Sequence, residues 1–86
     1  MNTAGALEAV ERILNRGGEP TDVLRAVLEA LHDRGVPYAA VRLADRELIV
    51  GSIGEMPTTT SGPLSVALDD RAFVDRVATL ITPYVR

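Results

Sequence analysis

The chain contains no cysteine. That absence removes disulfides, thiolate nucleophiles, thioether-linked pigments and cysteine metal sites together, and it suits a reducing compartment. A basic excess is missing too: 9 Lys and Arg stand against 12 Asp and Glu, a net charge of −3. Nucleic-acid binding needs a surface that neutralises phosphates, so no nucleic-acid partner is expected. No apolar run approaches the ~20 residues that cross a bilayer. The N-terminus lacks the basic-then-apolar order of a secretory signal, so no membrane association and a cytoplasmic location are expected. There is one histidine, His32, too few for an imidazole metal cluster. Gly51 and Gly54 are not followed by a phosphate-cradle motif. What remains is 86 residues, 47% of them hydrophobic, which fits one ordered domain over residues 1–86 with a modest core.

The stretch around which that core is organised is residues 36–53, VPYAAVRLADRELIVGSI. Two apolar runs flank a charged turn, and side chains along each strand alternate between two surfaces. With Asp45 and Arg46 as the connection, Leu43 faces Leu48, Val41 faces Val50 and Ala39 faces Ser52, an almost wholly aliphatic surface. On the other surface Arg42 faces Ile49, Ala40 faces Gly51 and Tyr38 faces Ile53, mixing an aromatic hydroxyl, a guanidinium, two isoleucines and small residues. A slip of one residue would bury Arg42 among leucines without a partner, which is costly.

Before the hairpin, Leu7, Val10, Ile13 and Leu14 form one helical stripe from about Ala4 to Arg16, with Asn2 or Thr3 available as its cap. Gly17 and Gly18 stop that helix. Pro20, Thr21 and Asp22 open a second, whose apolar arc is Val23, Leu24, Val27, Leu28 and Leu31 and which ends at Gly35. After the hairpin, residues 54–62 (GEMPTTTSG) read as a loop by composition. Residues 63–68 read as a third strand with Leu64, Val66 and Leu68 on one side. Asp69 and Asp70 then cap a last helix, running to about Thr82, with Phe73, Val74, Val77, Leu80 and Ile81 inward, and Pro83 closes it. The expected fold is therefore α+β: a short antiparallel sheet with helices packed on it, in the order α-α-β-β-β-α. The first and last helices are expected on one side of the sheet, with the second bracing its edge or sharing that layer.

Residues 26–54 (AVLEALHDRGVPYAAVRLADRELIVGSIG) and 62–81 (GPLSVALDDRAFVDRVATLI) resemble a GAF-type sensory domain of profilin-like architecture. The shared pattern is a helix leading through a turn into an Ala/Val/Leu strand, a hairpin with an acidic turn, and a closing strand and helix with an aromatic residue, here Phe73, just after an acidic turn. The likeness covers about two-thirds of the chain. It implies a signalling or regulatory module that acts through ligand sensing or homodimerisation, pairing through the first and last helices being the usual family arrangement. The chain departs from the pattern in the middle, where the family has further strands and helices that roof the ligand pocket. The family's thiol-based methionine sulfoxide reductase chemistry and bilin attachment are ruled out by the missing cysteine.

The candidate site is the mixed surface: Tyr38, Arg42, Ile49 and Ile53. A planar donor, a hydroxyl and aliphatic walls over Ala40, Gly51 and Ala67 would suit a small acid or heterocycle. An uncovered apolar patch on a small protein more often marks an interaction surface, and contact with a second subunit or a protein partner is the preferred reading. The other polar groups have simpler explanations. His32 reads as a solvated helix residue, Asp69–Asp70 as a cap in place of a carboxylate pair, Asp45–Arg46–Glu47 as a solvated turn, and residues 58–61 as a hydroxyl-rich connector. No nucleophile–base pair can be assembled, so neither an enzyme nor a cofactor is expected.

Overall fold

The computed structural model describes residues 2–52 and 57–85. It contains helices α1 (Thr3–Arg16), α2 (Pro20–Asp33) and α3 (Arg71–Ile81), strands β1 (Tyr38–Arg42), β2 (Glu47–Gly51), β3 (Thr59–Ser61) and β4 (Leu64–Val66), and a closing 3-10 turn, Thr82–Tyr84. The α+β class and the order of elements follow the sequence pattern, with one strand more than expected.

The helices begin and end for local reasons. The Asn2 side chain accepts from the Gly5 N–H at 3.1 Å, closing the first turn of α1. α2 starts on Pro20, whose missing N–H costs nothing at that position, and Asp22 lies in its positive first turn. At α3 the Asp70 carboxylate accepts from the Phe73 N–H at 3.1 Å. Each helix then turns one stripe inward. Val10, the five-residue arc of α2, and Phe73, Val74, Val77 and Ile81 of α3 are all buried. Tyr84, the last residue of the 3-10 turn, donates its hydroxyl to the Leu14 carbonyl at 3.3 Å and ties the C-terminal end to α1.

The strands form one antiparallel sheet in the order β2-β1-β4-β3. Ala39 and Val41 of β1, Leu48 of β2 and Leu64 and Val66 of β4 share the core with the helices. α2 lies over β1 and β2, and α3 over β4 and β3. α1 crosses those two helices and makes its main contacts with them. The first helix is thus not the sheet-covering element that had been expected. Its stripe is satisfied by α2 and α3, whose combined width already covers four strands.

The hairpin register differs from expectation by two residues. Tyr38 lies opposite Gly51, Ala40 opposite Ile49 and Arg42 opposite Glu47. The Leu43 N–H donates to the Arg46 carbonyl at 2.7 Å, so Ala44 and Asp45 are the two-residue connection. In this register Arg46 folds back over the turn and donates to the Thr21 hydroxyl at 2.9 Å, linking the hairpin to the start of α2. A shift of two leaves every side chain on its face, so alternation alone cannot detect it.

The fourth strand, β3, lies in the segment expected to be a loop. Its partner in the sheet is β4, across a two-residue connection at Gly62 and Pro63. Gly62 has φ +54°, which suits the glycine required at the first central position of a type II′ hairpin turn. Thr59 reinforces the hairpin by donating its hydroxyl to the Leu68 carbonyl at 2.7 Å. Among the described residues, no helix is long and apolar enough to cross a membrane.

Candidate functional site

The second face of the sheet carries the residues one step out of phase with the core. Reading across the strands, Ile49, Ala40, Ser65 and Thr60 form one row, with Glu47 and Arg42 on one side of it and Gly51 and Tyr38 on the other. None of these belongs to the hydrophobic core cluster or to the side chains packed around it. Ala40 is nonetheless buried, at 1% exposure. Ile49 is the one large hydrophobic side chain among the described residues that is exposed, at 37%.

Three of the four expected site residues are on this face, and the fourth, Ile53, lies outside the described residues. The register alters what they meet. Tyr38 is half-buried and faces Gly51, not Ile53; Arg42 is exposed and faces Glu47, not Ile49. Tyr38 and Arg42 stand four residues apart on one strand, which sets their Cα atoms about 13 Å apart. Ile49 sits between them across Ala40. The arrangement is a shallow apolar centre with a phenol at one end and an opposed guanidinium–carboxylate pair of positions at the other.

Gly51 does not serve to leave room for a ligand, as the sequence had suggested. Its φ is +103°, and a Cβ there would be driven into the Pro37 carbonyl. That carbonyl accepts from the Ser52 N–H at 3.1 Å, so the chain leaves β2 pressed against the start of β1. The glycine is needed by the backbone.

Sequence reasoning missed the hydroxyl pair of Thr60 and Ser65, whose oxygens are 3.1 Å apart on the same row. The available signal was the Gly62–Pro63 turn, which makes residues 59–61 the return strand of a hairpin. The remaining polar candidates resolve into structure. The His32 Nδ1–H donates to the Val36 carbonyl at 3.0 Å and helps close the turn after α2. Asp70 is the α3 cap, while Asp69 is exposed. Asp45 meets Arg46 at 3.2 Å in an exposed ion pair. No group of three or more metal-ligating side chains occurs among the described residues.

Two hollows bounded by described residues open elsewhere. One, of about 160 Å³, lies between the start of α2 and the hairpin turn and is lined in part by Thr21, Leu43, Arg46 and Tyr84. The other, about 300 Å³ and shallower, lies between α1 and α3 beside Leu7, Phe73 and Arg76. No protein-family model, curated protein or solved structure matches the chain.

Proposed function

We propose that the chain is a non-catalytic regulatory module, a shortened relative of the GAF-type design, that acts in the cytoplasm by contact through the open face of its sheet. The observation that carries this reading is the asymmetry of the sheet. The described helices gather over one face, while the other keeps Ile49 exposed beside Ala40, Tyr38 and Arg42. An exposed isoleucine amid polar residues loses little by remaining in water, and gains when another surface covers it. A partner that covers the face would therefore favour the conformations in which Ile49 is packed, a population shift in place of chemistry.

The small-molecule alternative keeps Tyr38 and Arg42 as its recognition groups. It is weaker because the Cα atoms of those residues are about 13 Å apart along the strand and Arg42 has Glu47 opposite it. The two readings separate in one titration. The methyl resonances of Ala40 and Ile49, followed from micromolar to millimolar protein, are expected to move with concentration while those of Leu64 in the core stay fixed. Tyr38→Ala combined with Arg42→Glu should suppress that movement without altering the circular dichroism. Invariant Ala40 and Ile49 methyls in the wild type, with association detected by other means, would refute contact through this face.

A further inference from the structure

The two edges of the sheet are not alike, and the difference identifies a partner. Along β1 and β4 the bonds from the Arg42 N–H to the Pro63 carbonyl at 2.8 Å and from the Ala67 N–H to the Tyr38 carbonyl at 2.9 Å fix which main-chain groups point which way. By alternation Thr60 directs its N–H and carbonyl outward at the β3 edge. There the carbonyl is occupied: Arg71 of α3 donates to it at 2.6 Å. With three residues, threonine and serine side chains, and Pro57 and Pro63 on either side, β3 is a blunted edge. At the other edge, the bonds from Leu43 to Arg46 and from Ser52 to Pro37 turn the main-chain groups of Leu48 and Val50 toward β1. Glu47, Ile49 and Gly51 then direct theirs outward, and no bond from them to a described residue occupies that side.

We infer that the β2 edge pairs antiparallel with the β2 edge of a second copy of this chain, about a two-fold axis through Ile49, giving one continuous sheet of eight strands. The inference goes beyond the contact reading above: it places the contact at the main-chain edge beside the open face and names a second copy as the partner. Three features favour a second copy over an arbitrary extended peptide. First, the axis sets Ile49, the exposed hydrophobic residue, against Ile49 of the second copy, where the two exchange both main-chain hydrogen bonds. Second, the axis sets no like charges opposite each other. Glu47 falls opposite Gly51 of the second copy, in the strip a glycine leaves empty and with the Tyr38 hydroxyl beyond it. The two Glu47 carboxylates stay about 13 Å apart along the ribbon, each opposite its own Arg42. Third, α2 lies over both β1 and β2, so its axis is about one strand spacing, ~5 Å, from the two-fold. The two copies of α2 then run antiparallel about 10 Å apart, the separation at which helices pack. Main-chain pairing thus brings helix packing with it, and the area exceeds what five residues of strand could bury.

The absence of native cysteine gives a direct test. Ile49→Cys should form an intermolecular disulfide under mild oxidation, since residues of a hydrogen-bonded antiparallel pair have Cα atoms about 5.5 Å apart, within bridging range. Thr60→Cys, at the blunted edge, should cross-link at least about tenfold more slowly; equal rates would overturn the inference. Sedimentation velocity supplies an independent reading. The wild type should dimerise, and Ile49→Pro, which removes an N–H the internal ladder does not use, should raise the dissociation constant by about a hundredfold or more with an unchanged circular dichroism spectrum. A wild type that stays monomeric at high micromolar concentration, or an Ile49→Pro dimer as tight as wild type, also overturns it. If Ile49→Pro leaves the dimer intact while Tyr38→Ala with Arg42→Glu breaks it, edge pairing is wrong and contact through the open face stands. If only Ile49→Pro breaks it, edge pairing stands and contact through the rest of the face is wrong.

Discussion

One face of the sheet holds Ala39, Val41, Leu48, Leu64 and Val66, none more than 4% exposed; the other, one residue along each strand, holds Tyr38, Ala40, Arg42, Ile49, Thr60 and Ser65. Both faces are built from the same few strand residues, so backbone pairing is common to them and cannot account for their difference. What differs is cover. The first face meets α2 and α3, and its aliphatic side chains exchange water for close-packed neighbours. The second meets no described helix. Stability therefore concentrates on one side of each strand, and the freedom to contact another molecule on the other.

The largest expected effect follows from that division. Leu64→Ala removes a fully buried side chain between β1 and β3 and should cost about 2–5 kcal/mol in denaturant unfolding. Ile49→Ala, one strand beyond β1 and on the open face, should stay within about 1 kcal/mol when unfolding is followed at concentrations where the chain is monomeric. Similar costs at the two positions would mean that the open face is covered in the native molecule, and the comparison would break.

Gly51 sharpens it from a different side. It belongs to the open face by alternation, yet its backbone is constrained by the Pro37 carbonyl and by φ of +103°. Gly51→Ala should cost roughly 2–3 kcal/mol, combining left-handed strain with that clash. Tolerance on the open face thus applies to side chains and not to the strand that carries them. Thermal unfolding of Gly51→Ala beside Ile49→Ala separates the two effects, and an unchanged midpoint for Gly51→Ala would show that the strand relaxes there.

Much of this division could be read from the sequence, because period-two alternation in residues 38–50 assigns each side chain to the same face in registers that differ by two residues. The inward stripes of α2 and α3 were legible from their helical spacing, and the caps were narrowed to Asn2 or Thr3 and to Asp69–Asp70, of which Asn2 and Asp70 make the bonds. The hairpin register was not legible. Ala44–Asp45 and Asp45–Arg46 are equally ordinary turn pairs, so the local sequence does not choose between them; in the observed register Arg46 bonds Thr21, 25 residues away. β3 was hidden because Thr59, Thr60 and Ser61 have no apolar alternation; only pairing with β4 makes them a strand. Of the candidate site, membership of the face was predictable for Tyr38, Arg42 and Ile49, but their opposite numbers were not. The proposed small-ligand pocket depended on those opposite numbers.

A smaller effect is expected where the closed face is held at its margin. Asp70 satisfies the Phe73 N–H, and Phe73 is part of the cover over the sheet. Asp70→Ala should cost about 1 kcal/mol, while Asp69→Ala, an exposed neighbour with no such bond, should be nearly neutral. Equal losses at both positions would revive the reading of a functional carboxylate pair.

The smallest effect separates a hydrogen bond that shapes the open face from one that merely occurs there. Thr60 and Ser65 hydroxyls lie 3.1 Å apart, but both side chains reach water, so deleting one partner leaves the other solvated and not stranded. Ser65→Ala should therefore change stability by no more than about 0.5 kcal/mol. Without its hydroxyl the side chain is a bare methyl in the same row as Ala40 and Ile49, which makes that row more continuously apolar. Any strengthening of self-association in Ser65→Ala, measured beside its unchanged unfolding midpoint, would come from the open face alone. A loss above about 1 kcal/mol would instead mean that the hydroxyl pair holds β3 to β4, and that the open face contributes to the stability assigned here to the other side.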